Sequence, residues 1–178
     1  MVGYIDLGGG FPSTNNLKGT YLPGNDMVPP LEDFAEAITS EILNSDITPN
    51  ELPTLILESG RALVDEAGFL LGTVIANKRL SDGRRATILD FGLNLLFTSI
   101  WYNHKIVPAQ NGSHYKEDIV LYGPLCMNID IVKHSTPYPD LKVGDQLIVF
   151  PVGAYNVTQW MQFIEYRPGV CLISETGE

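Results

Sequence analysis

A chain of 178 residues with 44% hydrophobic content can form one good-sized domain or two small ones, each with a packed core. Its formal charge of -10 argues against binding a nucleic-acid backbone, which requires clustered Lys and Arg, although a small anion can still bind where the local field is positive. The longest apolar run, roughly Ala67 to Ala76, falls short of the ~18 residues a membrane span needs, and no basic-then-apolar leader opens the chain. Two cysteines, Cys126 and Cys171, make neither a disulfide framework nor a metal site, which points to a reducing cytoplasm.

In chain order, Val2 to Leu7 reads as a short apolar strand that breaks into Gly8-Gly9-Gly10. Without Cβ atoms, such a run can bring backbone N–H groups close to an anion, and a helix opening directly after it would add its dipole. Taken alone, the same run is also what a tight structural turn looks like. A polar loop follows over 13–30. Leu31, Phe34, Ala35, Ile38 and Ile42 then recur at helical spacing, with Glu32, Asp33 and Glu36 in the opening turns, and Pro49 and Pro53 close the helix and its loop. Thr54 to Leu57 is a second apolar strand ending at Glu58-Ser59-Gly60-Arg61. Strand, helix and strand in this order predict a parallel βαβ unit.

After Arg61 the pattern changes. Short β-branched segments at Gly72–Asn77, Thr87–Phe91, Ile119–Leu121, Ile129–Val132 and Gln146–Phe150 alternate with turn signals at Asp82-Gly83, Asn111-Gly112 and Gly144-Asp145. They predict an antiparallel sheet or barrel, with a boundary near residue 61. His104, His114 and His134 have no metal-ligand spacing and read as structural or exposed.

Four motifs run through the chain in one order: IDLGGGFP at 5–12, LESGR at 57–61, GPLCMNID at 123–130 and VGAYNVTQWMQF at 152–163. Together with LDFGLN at 89–94 and the closing YRPGVCLI, the set resembles the pyridoxal-phosphate-dependent decarboxylases of the ornithine, diaminopimelate and arginine group. The resemblance implies an alanine-racemase-like fold, in which a (β/α)8 barrel precedes a C-terminal β-domain. Residues 1–61 would supply the last βα units of the barrel, and 62–178 the β-domain. It implies pyridoxal 5'-phosphate as cofactor, an amino acid as substrate and a homodimer with shared active sites. Gly8, Gly9, Gly10, Arg61 and Tyr155 match the positions that hold the cofactor phosphate, Gly60 a further cofactor-binding position, and Glu58 the acid that pairs with the pyridine nitrogen. A carboxylate there keeps the ring protonated, and hence a better electron sink. Arginine suits phosphate because its guanidinium presents a bidentate fork. Cys126 matches a proton donor on a loop that completes the partner's active site, and Asp130 a residue that positions the substrate or the loop. Each position also has a plain structural reading. Glu58 and Arg61 would form an i, i+3 surface ion pair, Cys126 would be a small buried hydrophobe, and Tyr155 an ordinary strand aromatic.

Several features depart from the family's pattern. Ser59 stands where proline is usual, which costs rigidity but no chemical group. Met127 stands where the family places an acid after the loop cysteine, and Thr98-Ser99 where diaminopimelate decarboxylases carry Arg-Pro. Both handles for diaminopimelate are missing, so another amino acid is expected as substrate. The AxKAN-like segment that carries the Schiff-base lysine is absent, since Lys18, Lys78, Lys105, Lys116, Lys133 and Lys142 lie outside any such motif. A (β/α)8 barrel needs roughly 250 residues. The chain therefore reads as the C-terminal portion of a longer enzyme, inactive without the upstream barrel half. Two alternatives remain: a non-catalytic homologue that binds a partner subunit, and a racemase of the same fold, against which Glu58 speaks because alanine racemases place an arginine at the pyridine nitrogen.

Overall fold

The computed structural model describes residues 2–21, 27–110 and 115–177, so His114 and the Asn111-Gly112 turn signal lie outside the described residues. The chain forms two compact units. The first comprises Met1–Leu70, Ile100–Ile106 and Val149–Tyr155; the second comprises Leu71–Ser99, Val107–Ile148 and Asn156–Glu178.

In the first unit, β1 (Tyr4–Asp6) pairs in parallel with β2 (Thr54–Ile56), placing Ile5 opposite Leu55. The ladder runs on past both strands, with the Leu7 N–H donating to the Ile56 carbonyl at 3.1 Å and the Glu58 N–H to the Gly8 carbonyl at 2.8 Å. Between them lies α1 (Leu31–Leu43), with Glu32 and Asp33 in its first turn, where the macrodipole favours acids. Its apolar spacing leaves Phe34, Ile38 and Ile42 half-buried on one stripe. The helix ends at Leu43, well before Pro49, which instead opens a short 3-10 turn. No helix follows the glycine run directly: the chain beyond Gly10 is irregular, so no helix dipole supports that loop. After β2 comes the short helix α2 (Gly60–Val64) and a 3-10 turn at Asp65–Ala67.

The remaining strands are β3 (Leu70–Arg79), β4 (Arg85–Leu89), β5 (Lys105–Pro108), β6 (Lys116–Tyr122), β7 (Ile131–Pro139) and β8 (Gln146–Phe150), in sheet order β5-β8-β3-β4-β6-β7. β3 and β4 form the hairpin predicted at Asp82-Gly83, with Gly83 at φ +87, a conformation glycine takes without a Cβ penalty. β6 and β7 are also antiparallel, but β4 and β6 run parallel, with Arg85 opposite Ile119 and Thr87 opposite Leu121. Where an antiparallel sheet or barrel is expected, the sheet is therefore a mixed one. The connection from Asp90 to Tyr115 exceeds the dozen or so residues that a parallel return needs, whereas a tight turn would have forced an antiparallel pair. Val74, Leu89, Phe91, Leu96, Ile119 and Leu121 are almost wholly buried and form the centre of the second unit's core.

Candidate functional site

The predicted site residues of the first unit gather around the C-terminal ends of β1 and β2. Gly8 and Gly10 adopt φ of +68 and +87, so the run bends in a way few L side chains tolerate. The Gly8 N–H donates to Asp6 Oδ1 at 2.8 Å, whereas among the described residues the N–H groups of Gly9 and Gly10 have no acceptor. A Cβ on Gly9 would come within 2.8 Å of the Glu58 carbonyl, so only glycine lets the run lie flat against the second motif. The Glu58 side chain is exposed.

Arg61 does not form the surface pair with Glu58. Its Nη1 donates to Asp65 Oδ2 at 3.1 Å, one helical turn on. The guanidinium carbon lies 4.3 Å from the ring centre of Tyr102 and 5.0 Å from that of Tyr155. Both tyrosines are within reach of a cation–π contact. Tyr155 is not a strand aromatic. It lies beyond β8 at φ +67, rare for a residue with a Cβ, and is 49% exposed. Gly60 lies beside it, since a Cβ there would sit 4.0 Å from the Tyr155 hydroxyl.

Asp65, 1% exposed, escaped the motif reading. It accepts from Arg61, from Ser13 Oγ, from Asn15 Nδ2 at 3.4 Å and from the Ala154 N–H at 3.3 Å. Its i, i+4 spacing from Arg61 was the one available signal; nothing in the sequence links either residue to Tyr102. Asn15 leads on to His104, which is 2% exposed and whose Nδ1 lies 2.8 Å from the Pro151 carbonyl. The buried ring is thus enclosed by the polar groups of Asn15 and Pro151. Lys18 follows Leu17, which bridges to Tyr102, and partial burial holds its ammonium below the ordinary lysine value.

Cys126 and Asp130 belong to the second unit, on the connection from β6 to β7. Cys126 is exposed and unpaired by disulfide, which removes the buried-hydrophobe reading. Asp130 is 1% exposed, and its two oxygens accept the Leu93 N–H at 2.7 Å and the Leu125 N–H at 2.8 Å. Gly92 and Gly123 leave room for that carboxylate, which occupies the space their Cβ atoms would need. The arrangement ties the residue before Cys126 to the LDFGLN segment. His134 is exposed, and among the described residues no cluster of His, Cys, Asp or Glu could hold a metal ion. No helix among them is long and apolar enough to cross a membrane.

Residues 39–153 match the family described as pyridoxal-dependent decarboxylase, C-terminal sheet domain. The diaminopimelate decarboxylase of Methanocaldococcus jannaschii is 31% identical over 176 residues, 97% of this chain and 38% of that protein. Its crystal structure superposes with a TM-score of 0.82 at 30% identity, covering 98% of this chain and 39% of that one. A Selenomonas ruminantium lysine decarboxylase in complex with pyridoxal phosphate and cadaverine superposes with a TM-score of 0.72 at 27% identity, over 93% of this chain and 40% of that one. The chain thus spans about two fifths of the length of these relatives.

Proposed function

This chain belongs to the pyridoxal-dependent decarboxylases, and from that membership we propose that it is the C-terminal part of an amino-acid decarboxylase whose first unit holds pyridoxal phosphate. The observation that carries the reading is the Arg61 guanidinium, set over the rings of both Tyr102 and Tyr155 on the segment that lies against the glycine run. The donor set fits the group. The Gly9 and Gly10 N–H groups and Arg61 offer charge-assisted and backbone hydrogen bonds to a phosphate, Tyr155 adds its hydroxyl beside Gly60, and the exposed Glu58 carboxylate can accept from a ring N–H. When bound, pyridoxal phosphate supplies a protonated ring that draws electron density from the bond to the departing carboxyl group.

The chain's own residues then divide the work. Glu58 keeps the ring nitrogen protonated by holding a negative charge against it. Arg61 and the glycines fix the phosphate end. Cys126 carries a proton on an exposed Sγ, with the homodimer partner's site as its destination, and Asp130 holds the Cys126 loop in place through Leu125. Its full burial favours that loop-positioning role over direct contact with substrate. The exposure of Cys126 favours a catalytic protein over a purely binding homologue. Residues 1–61 would complete a (β/α)8 barrel with an upstream half that carries the lysine, and 62–178 would form the β-domain of a cytoplasmic homodimer.

Borohydride reduction of the 178-residue chain with equimolar pyridoxal phosphate, followed by peptide mass mapping, tests this. Scattered or absent labelling is expected from the chain alone, with decarboxylation appearing when the upstream half is supplied. One dominant adduct on a single lysine of this chain would overturn the reading.

A further inference from the structure

Asp65 lies outside every motif that carries the family resemblance, yet its carboxylate is buried and takes hydrogen bonds from Arg61, Ser13, Asn15 and the Ala154 N–H. Its main-chain carbonyl also accepts the Gly153 N–H at 2.8 Å. These donors compensate a charge that burial alone would strongly disfavour. They also come from both segments that contribute to the proposed phosphate site: α2, which carries Arg61, and the turn that carries Tyr155.

The surroundings of Arg61 make this consequential. The Arg61 guanidinium carbon lies over the rings of Tyr102 and Tyr155, 4.3 Å and 5.0 Å from their centres. A cation–π contact places the charge but does little to fix how the planar group is turned, whereas a directed hydrogen bond to one N–H does. The Nη1 bond to Asp65 Oδ2 supplies that constraint and leaves the other N–H groups for a ligand. At the same time Asp65 Oδ1 accepts from Ala154, immediately before the residue at φ +67. We infer that Asp65 is a positioning residue, whose single buried carboxylate sets the orientation of the Arg61 guanidinium and the backbone place of Tyr155, so that both meet a phosphate pre-arranged. This rests on the phosphate site proposed above.

The sign of a charge-removing substitution separates positioning from simple electrostatics. Asp65→Asn deletes a negative charge near an anion site, so electrostatics alone predicts tighter anion binding. Positioning predicts weaker binding. The experiment follows the Arg61 Nε–H resonance in the full 178-residue chain, assigned by its loss in Arg61→Lys, and titrates inorganic phosphate against the Gly9 and Gly10 amides. In Asp65→Asn, below its melting transition, the Nε–H should lose its protection from exchange and the phosphate Kd should rise about tenfold, the weight of one charge-assisted contact. Asp65→Glu, which keeps the carboxylate, should recover part of both. Ser13→Ala removes one donor but leaves the Arg61 pair, so it should lower stability with both readouts close to the parent chain; it also serves if Asp65→Asn does not fold, since a lost Nε–H signal there would overturn the proposal. An unchanged Nε–H signal, or equal or tighter phosphate binding in Asp65→Asn, would overturn it too. If the parent chain shows no phosphate response at Gly9 and Gly10, the phosphate-site reading fails instead, and the Nε–H signal still decides whether Asp65 orients Arg61.

Discussion

Tyr138 is buried, and among the described residues its hydroxyl has no hydrogen-bond partner. Burial pushes that hydroxyl well above the ordinary tyrosine value of 10.0. A group whose folded pKa is raised stabilises the fold fully below its unfolded pKa and loses that contribution as pH rises beyond it. Stability should therefore decline above pH about 10, where only the unfolded chain ionises. Tyr138→Phe should flatten that alkaline limb and, by removing an unsatisfied buried polar group, raise stability at pH 7 by about 1 kcal/mol. Urea melts at pH 7 and at pH about 10.5 test both points, and destabilisation at pH 7 would refute the second. Asp130 is the opposite case, a buried polar group with its partners in place. Asp130→Ala strands the Leu93 and Leu125 N–H groups and should cost about 3 kcal/mol. Its melt, followed by Trp160 fluorescence, should shift accordingly, and the shift would be small if the carboxylate were a dispensable substrate contact.

Among the elements, β1, β2 and α1 were legible because their signals are local. The i, i+3, i+4 spacing from Leu31 to Ile42 and the two short apolar runs need no distant partner to be read. β5 was not legible: four residues with a lysine at one end and a proline at the other carry little strand signal, and its neighbours in the sheet define it. Strands of three residues are marginal by themselves, and α1 buries no side chain fully. Hydrogen exchange should reflect this. The Leu7 and Glu58 amides should exchange at least about a hundredfold faster than those of Val74 and Leu121, since local opening tracks buried apolar contact. Equal protection would mean that the glycine run stands on a firmer base than its strands suggest.

For the whole molecule, substrate choice is the property that depends on more than this chain. Met127 offers no charge to a distal ammonium, and the buried Thr98 hydroxyl donates to Asn156 Oδ1 at 2.8 Å rather than offering the cationic grip that an Arg-Pro pair supplies. The complete enzyme should therefore not turn over meso-diaminopimelate measurably, and a carbon dioxide release assay with that substrate decides the matter. The sequence by itself determined the family, the parallel strand–helix–strand start and the β3–β4 hairpin. These rest on residue types at fixed short spacings, where local propensity and turn chemistry act. Only the tertiary structure decided that Arg61 pairs with Asp65 rather than Glu58, that Tyr102 joins Tyr155 around it, that Asp130 is spent on backbone amides, and that β4 runs parallel to β6. Each of these joins residues from separate stretches of chain or chooses between near neighbours, and burial and hydrogen-bond satisfaction settle such choices only once the chain has folded.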